Sequence, residues 1–113
     1  MPRPYTPYIP QTISEIWDLL GGMMLEAPTF IDKTGYFPQQ NIDTEFFALK
    51  EGLKSVRKKL GEERYEQLVE MTDRMKAHFL ADPDDKTEDS LAGRRLINEM
   101  EDVLKEVWGR RRS

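Results

Sequence analysis

Apolar residues recur every three or four positions in four stretches of the chain, and this spacing predicts four helices, each with one buried face. The first stretch follows Thr12, which has Glu15 three positions later as in a capping box, and it stops before Pro28. Gly21 and Gly22 lie inside it, and close packing against a neighbouring helix explains the pair better than a functional hinge does. The predicted buried positions are Ile13, Ile16, Trp17, Leu20, Met23, Met24 and Ala27.

The second and third stretches predict a helical hairpin. The second helix is expected to be capped by Asp43 or Thr44 and to run to Leu60, followed by Gly61 at the position where a positive φ ends a helix. The third begins at once and stops before Pro83, and so short a connection makes the two helices antiparallel. The buried positions are Phe46, Leu49, Leu53, Val56 and Leu60, then Tyr65, Leu68, Val69, Thr72, Met75 and Phe79.

The fourth helix follows the acidic linker 82-DPDDKTED-89, where Asp85 or Thr87 can cap it, and it ends at Gly109. Its broad apolar face contains Leu96, Ile97, Met100, Val103, Leu104, Val107 and Trp108. Because no segment predicts a pair of strands, the expected fold is all-α, a small bundle of about four helices.

An aromatic-rich loop, 28-PTFIDKTGYFPQQNI-42, separates the first two helices, since its prolines and Gly35 prevent one continuous helix. Its large apolar side chains are expected to fold back and seal one end of the bundle; these are Phe30, Ile31, Phe37 and Ile42. Tyr36 and the polar tip at 32–35 fit that role less well and favour a binding surface.

The chain has 113 residues, enough for one helical domain, expected at 12–109, with an extended Pro-rich arm at 1–11 and a basic tail at 110–113. The absence of cysteine excludes disulfides and thiolate chemistry. No apolar run is long enough to span a membrane, and the arm lacks the apolar core of a secretory signal, so a cytoplasmic location is expected. The net charge of −4 argues against a nucleic-acid partner.

Catalytic chemistry has few candidate residues. His78 is the only histidine and lies near the end of the third predicted helix, where a structural role is favoured over that of a catalytic base. The linker does not form an EF-hand, because a loop starting at Asp82 places Thr87 where glycine is needed and Gly93 where glutamate is needed. No cofactor is therefore expected.

Paired carboxylates offer an enzymatic alternative. The segments 62-EERYE-66 and 99-EMED-102 resemble the EExxE and ExxD motifs of MazG-type nucleotide pyrophosphohydrolases, all-α enzymes that depend on Mg²⁺. The resemblance implies a metal site formed by Glu62, Glu63, Glu66, Glu99 and Asp102. The gap between the motifs is long for that family, and the first-turn glutamates also suit a helix N-terminus.

Charge is unevenly distributed along the chain. The outer face of the second predicted helix is expected to carry Lys50, Lys54, Arg57, Lys58 and Lys59 against Glu45 and Glu51, whereas acids outnumber bases across 82–106. Segregated charge favours oriented association with another protein. The residues predicted to bind that partner are Asp32, Lys33, Tyr36 and Phe37 in the loop and Asp82, Asp84, Asp85, Glu88 and Asp89 in the linker.

The resemblance of four segments to a known family indicates which class of protein this partner belongs to. The segments 32-DKTGYFPQQNIDTEFF-47, 57-RKKLGEERY-65, 75-MKAHFLADP-83 and 93-GRRLINEMEDVL-104 are similar to small helical immunity proteins of bacterial polymorphic toxin loci, including those that neutralise NAD(P)-degrading type VI secretion effectors. The similarity spans about 12–108. It implies a protein without activity of its own that occludes a cognate toxin in the cytosol. A helical scaffold or homodimer, using the Phe46–Leu60 seam, is a further alternative.

Overall fold

Five α-helices make up the regular structure of residues 7–31 and 39–110, the parts of the chain that the computed structural model describes. They are α1 (Ile13–Glu26), α2 (Ile42–Ser55), α3 (Arg57–Leu60), α4 (Glu62–Ala81) and α5 (Glu88–Arg110). These two ranges contain no strand, so the all-α prediction is confirmed. Within them, no helix combines the length and the apolarity that crossing a membrane would require.

Helix α1 begins as its sequence predicts. The hydroxyl of Thr12 accepts the backbone N–H of Glu15 at 3.1 Å, which satisfies one of the free donors at the helix N-terminus. The expected close packing at Gly21 is wrong, because a Cβ placed there would have no neighbour within 4 Å. At Gly22 such a Cβ would meet only the Glu26 side chain, at 3.8 Å. Helix α1 nevertheless continues through both glycines.

Helix α2 starts earlier than predicted, because Asn41 rather than Asp43 or Thr44 is its cap. The Asn41 side chain accepts the N–H of Thr44 at 3.0 Å, and the Thr44 hydroxyl accepts the N–H of Asn41 at 3.0 Å, which completes a capping box. Asparagine caps helices as well as aspartate does, and the prediction assigned it to the loop.

The second predicted helix is divided in two at Val56, whose φ of −110° and ψ of 13° are not helical. The hydroxyl of the preceding Ser55 donates to the carbonyl of Glu51 at 3.1 Å, a bond that bends helices. The single turn α3 then ends at Gly61, whose φ of +83° agrees with the predicted helix end. The prediction of about four helices therefore becomes five.

The core lies between α1, α2, α4 and α5, and α4 and α5 form the most extensive helix pair. The apolar seam of α2 and α3 faces inward, with Phe46, Leu49, Leu53, Val56 and Leu60 all buried. Since the chain's own core covers it, this seam is not an exposed face for a second copy.

Candidate functional site

Phe30 anchors the described start of the 28–42 loop to the core. Its side chain is fully buried and meets the rings of Phe46 and Phe79 edge to face, with centroids 5.5 and 5.2 Å apart. Its φ is +61°, a left-handed conformation that is unfavourable for an aromatic residue, so its packing has to outweigh a local backbone cost. The predicted burial of Phe30 is confirmed.

Gln40 holds the two ends of this loop together. Its side-chain amide donates to the carbonyl of Phe30 at 2.8 Å and also to the carboxylate of Glu26. Ile31, also expected to seal the bundle, is instead 52% exposed, and Ile42 is half-buried. The predicted binding residues Asp32, Lys33, Tyr36 and Phe37 lie outside the described residues, as does residue 38.

Asp82 organises the linker between α4 and α5. It is only 3% exposed, and its carboxylate accepts the backbone N–H groups of Lys86, Thr87 and Ser90 at 2.8, 3.0 and 3.2 Å. Burial alone would raise the pKa of Asp82, but these hydrogen bonds outweigh it and hold the pKa far below its usual range. Asp82 is therefore a structural group, not an exposed contact residue. Thr87 completes the predicted cap by accepting the N–H of Asp89 at 3.2 Å.

Arg94 connects this linker to the loop. Its guanidinium donates to both carboxylate oxygens of Asp85, at 3.1 and 3.0 Å, and to the carbonyl of Ala27 at 3.2 Å. The hydrogen bonds with Asp85 raise the pKa of Arg94 and lower that of Asp85. Arg94 thus brings Ala27, the residue before the loop, together with Asp85 of the linker, 58 positions later in the sequence.

His78 has the structural position that its sequence context favours. Its Nδ1 lies 2.8 Å from an Asp89 carboxylate oxygen, a contact that joins the end of α4 to the start of α5. Asp89, a predicted binding residue, is therefore half-buried and already paired. Of the linker acids, Asp84 and Glu88 are exposed and have no ion-pair partner among the described residues.

Large apolar side chains are exposed at the same end of the molecule. Leu80 is the penultimate residue of α4 and is 57% exposed, and Leu91 in the first turn of α5 is 48% exposed. Leu25, at the end of α1, is 86% exposed and lies two residues before Ala27, which Arg94 binds. We call residues 25–31 and 80–91 the linker end of the bundle.

The alternative metal site is not assembled. Glu62 pairs with Arg57 at 2.6 Å, and Glu63 and Glu66 are exposed on the first turns of α4. Glu99 and Asp102 line a separate groove of about 510 Å³ that none of those glutamates lines. Across 7–31 and 39–110, no three His, Cys, Asp or Glu side chains are grouped as metal ligands.

Three of the five basic side chains predicted on the outer face of the second helix are paired with acids. Lys50 forms an ion pair with Asp73, Lys54 forms one with Glu51 at 2.8 Å, and Arg57 forms one with Glu62. Arg57 also lies over the ring of Tyr65, 4.4 Å from its centroid. The positive half of the predicted charge segregation is therefore weaker than the sequence suggested.

Glu45 was placed on that outer face, and this prediction is wrong, because Glu45 is only 7% exposed. It lies three residues after Ile42 and four before Leu49, a spacing that puts all three on one face of α2. The helical phase could therefore have indicated its burial. The prediction placed Glu45 outside because charged side chains are normally exposed.

Comparison with models of known families, with curated protein sequences and with solved structures finds no match for this chain. The fold and the side chains described above therefore carry the functional argument.

Proposed function

We propose that this chain is a bacterial immunity protein, antitoxin-like, which binds a cognate protein toxin in the cytosol and occludes its active site without catalysing a reaction itself. The observation that carries the proposal is the linker end, where exposed leucines and unpaired acids lie around two segments that Arg94 holds together. The immunity-protein resemblance in the sequence gives the partner its class.

Leu80 and Leu91 supply apolar area that a monomer in water leaves unburied. Asp84 and Glu88 are exposed in the linker that joins α4 to α5 and add negative charge. An apolar centre with charged surroundings is the usual composition of a protein interface. Carboxylates also pair well with the basic groups that bind phosphate in nucleotide-processing clefts.

Hydrogen bonds hold the backbone of the linker end in place. Asp82 holds the linker through three backbone hydrogen bonds, and Arg94 fixes the linker against Ala27. A surface ordered before binding loses less conformational entropy when the partner docks. The linker end is therefore suited to tight association.

The test is protection of cells that express the product of the neighbouring upstream gene. We expect the wild-type chain to co-purify with that product and to restore growth. The charge reversal Asp84→Lys with Glu88→Lys should weaken the affinity about tenfold or more. The matched control is Glu63→Lys with Glu66→Lys, an equal charge change on the first turns of α4, which should leave the affinity within about twofold.

Failure of the wild-type chain to bind that product or to protect the cells would refute the immunity function. Protection lost equally in the linker-end variant and in the α4 control would instead refute the assignment of the surface.

A further inference from the structure

A cavity of about 390 Å³ lies between the N-terminal segment, α1 and α2. Its volume is within the range of small-ligand sites. Its apolar walls are Pro7, Pro10, Leu19 and Ala48, and its polar groups are Tyr8, Glu15, Asp18 and Glu45. Among the described residues, the cavity is thus lined by three carboxylates and by no basic side chain.

Glu45 is the distinctive group, because it is more than nine-tenths buried and its carboxylate makes no hydrogen bond or ion pair to any other described residue. In the described parts of the chain, no side-chain oxygen or nitrogen is both fully enclosed and without a hydrogen-bond partner. The Glu45 carboxylate oxygens therefore keep their opening to the cavity that Glu45 lines. A carboxylate that has no protein partner and opens to a cavity is free to accept hydrogen bonds from a ligand that enters this cavity.

Two further acids, Glu15 and Asp18, line the same cavity. Glu15 accepts the N–H of Gln11 at 3.2 Å and the hydroxyl of Tyr8, which positions it at the cavity. Asp18, one turn along α1, is exposed. Burial, with a contribution from Glu26, raises the pKa of Glu45 to about 7. The described residues that line the cavity thus include acids and no positively charged side chain that would balance them.

We propose that this cavity binds an organic cation, a guanidinium or ammonium group on a short alkyl stem, with the charged head on Glu45 and the stem against Leu19 and the two prolines. The carboxylates are not grouped as metal ligands anywhere in 7–31 or 39–110, whereas an extended cation can reach separated acids. The apolar walls match an alkyl stem. This inference is independent of the toxin-binding proposal, because it uses a different surface.

The experiment is calorimetric titration of the full chain with n-propylguanidinium at pH 8, with the neutral isostere n-propylurea as the matched ligand control. We expect the cation to bind and the urea not to bind. Affinity should fall as the pH is lowered through about 7, since protonated Glu45 loses its charge. Tyr8 from the N-terminal segment and Glu15 and Asp18 from α1 line the cavity with Glu45, and the charge of Glu26 on α1 adds to the effect of burial on the Glu45 pKa.

Glu45→Gln should reduce the affinity for the cation about tenfold or more. Asp18 is exposed, so Asp18→Asn should leave the fold intact and reduce the affinity for the cation about threefold. This variant keeps the test valid if Glu45→Gln alters folding. Glu66→Gln on α4 removes the same charge outside the cavity and should have no effect.

A blocked arginine amide within a short peptide distinguishes the source of the cation. If the affinity for n-propylguanidinium is within a few-fold of the affinity for the peptide, the natural ligand is a free small cation. If the peptide binds much more tightly, the ligand is an arginine side chain of a partner protein. Both results support the site. Equal binding of n-propylurea, no heat with any cation, or unchanged affinity in both cavity variants would overturn the proposal.

Discussion

Gly93→Ala tests how closely the α4–α5 hairpin is packed. A Cβ added at Gly93 would lie 2.6 Å from both Cε1 and Cζ of Phe79 and 2.9 Å from Cε2. These distances are far shorter than ordinary van der Waals contact. Phe79 is fully buried and meets Phe30 on another side at a centroid distance of 5.2 Å, so its ring has little room to move away.

Two opposing terms determine how much Gly93→Ala changes the free energy of unfolding. Alanine gains about 0.8–1 kcal/mol over glycine in a helix interior. Overpacking a closed core costs about 1–3 kcal/mol, and the 2.6 Å approach places Gly93 at the upper end of that range. The net free energy of unfolding should therefore fall by about 2 kcal/mol, which lowers the melting temperature by about 10 °C for a domain of this size.

The matched control is Gly21→Ala, the same chemical change in a helix interior where no atom lies within 4 Å of the new Cβ. It should raise the stability by about 0.5–1 kcal/mol. The assay is urea unfolding followed by the circular dichroism of the helices. In a Phe79→Leu background the cost of Gly93→Ala should shrink, which a double-mutant cycle measures. A Gly93→Ala variant as stable as the wild type would refute the close packing.

Three further predictions concern single side chains. Burial raises the pKa of Glu45 from 4.5 to about 7, so the fold loses stability as the pH rises between those values and Glu45 ionises. The loss is at most about 3 kcal/mol, and about 1–2 kcal/mol after screening by solvent in the cavity. Urea unfolding should therefore show Glu45→Gln to be more stable than the wild type at pH 8 and equal to it at pH 4, and a less stable variant at pH 8 would contradict this. Asp82 has a depressed pKa, so it stabilises the fold above its unfolded pKa, and this contribution is lost as the pH falls through the folded value. Asp82→Asn should accordingly destabilise the chain at pH 7, with a difference that narrows in an acid titration followed by circular dichroism. Phe30→Ala should cost about 3–5 kcal/mol in urea unfolding, because it leaves a cavity between two rings, and a cost below about 1 kcal/mol would show that the loop does not seal the core.

Local signals in the sequence were sufficient for much of the fold. The cap at Thr12 and the helix end at Gly61 are both where the sequence placed them, because each depends on a residue and its immediate neighbours. The start of α4 after Gly61 and the all-α class followed from apolar spacing in the same way. Local errors occurred where two good caps competed, as Asn41 and Asp43 did.

Only the tertiary structure decided which charged groups are available to a partner. Asp82 and Glu45 both look like solvent-facing acids in sequence, yet one is held by backbone N–H groups and the other faces a cavity. Arg94 binds both Asp85 of the linker and Ala27, which precedes the loop and lies 67 positions before Arg94. The helical phase of α2 could have indicated that Glu45 is buried, but the groups that surround a buried acid come from elements distant in sequence, and apolar periodicity along one helix does not identify them.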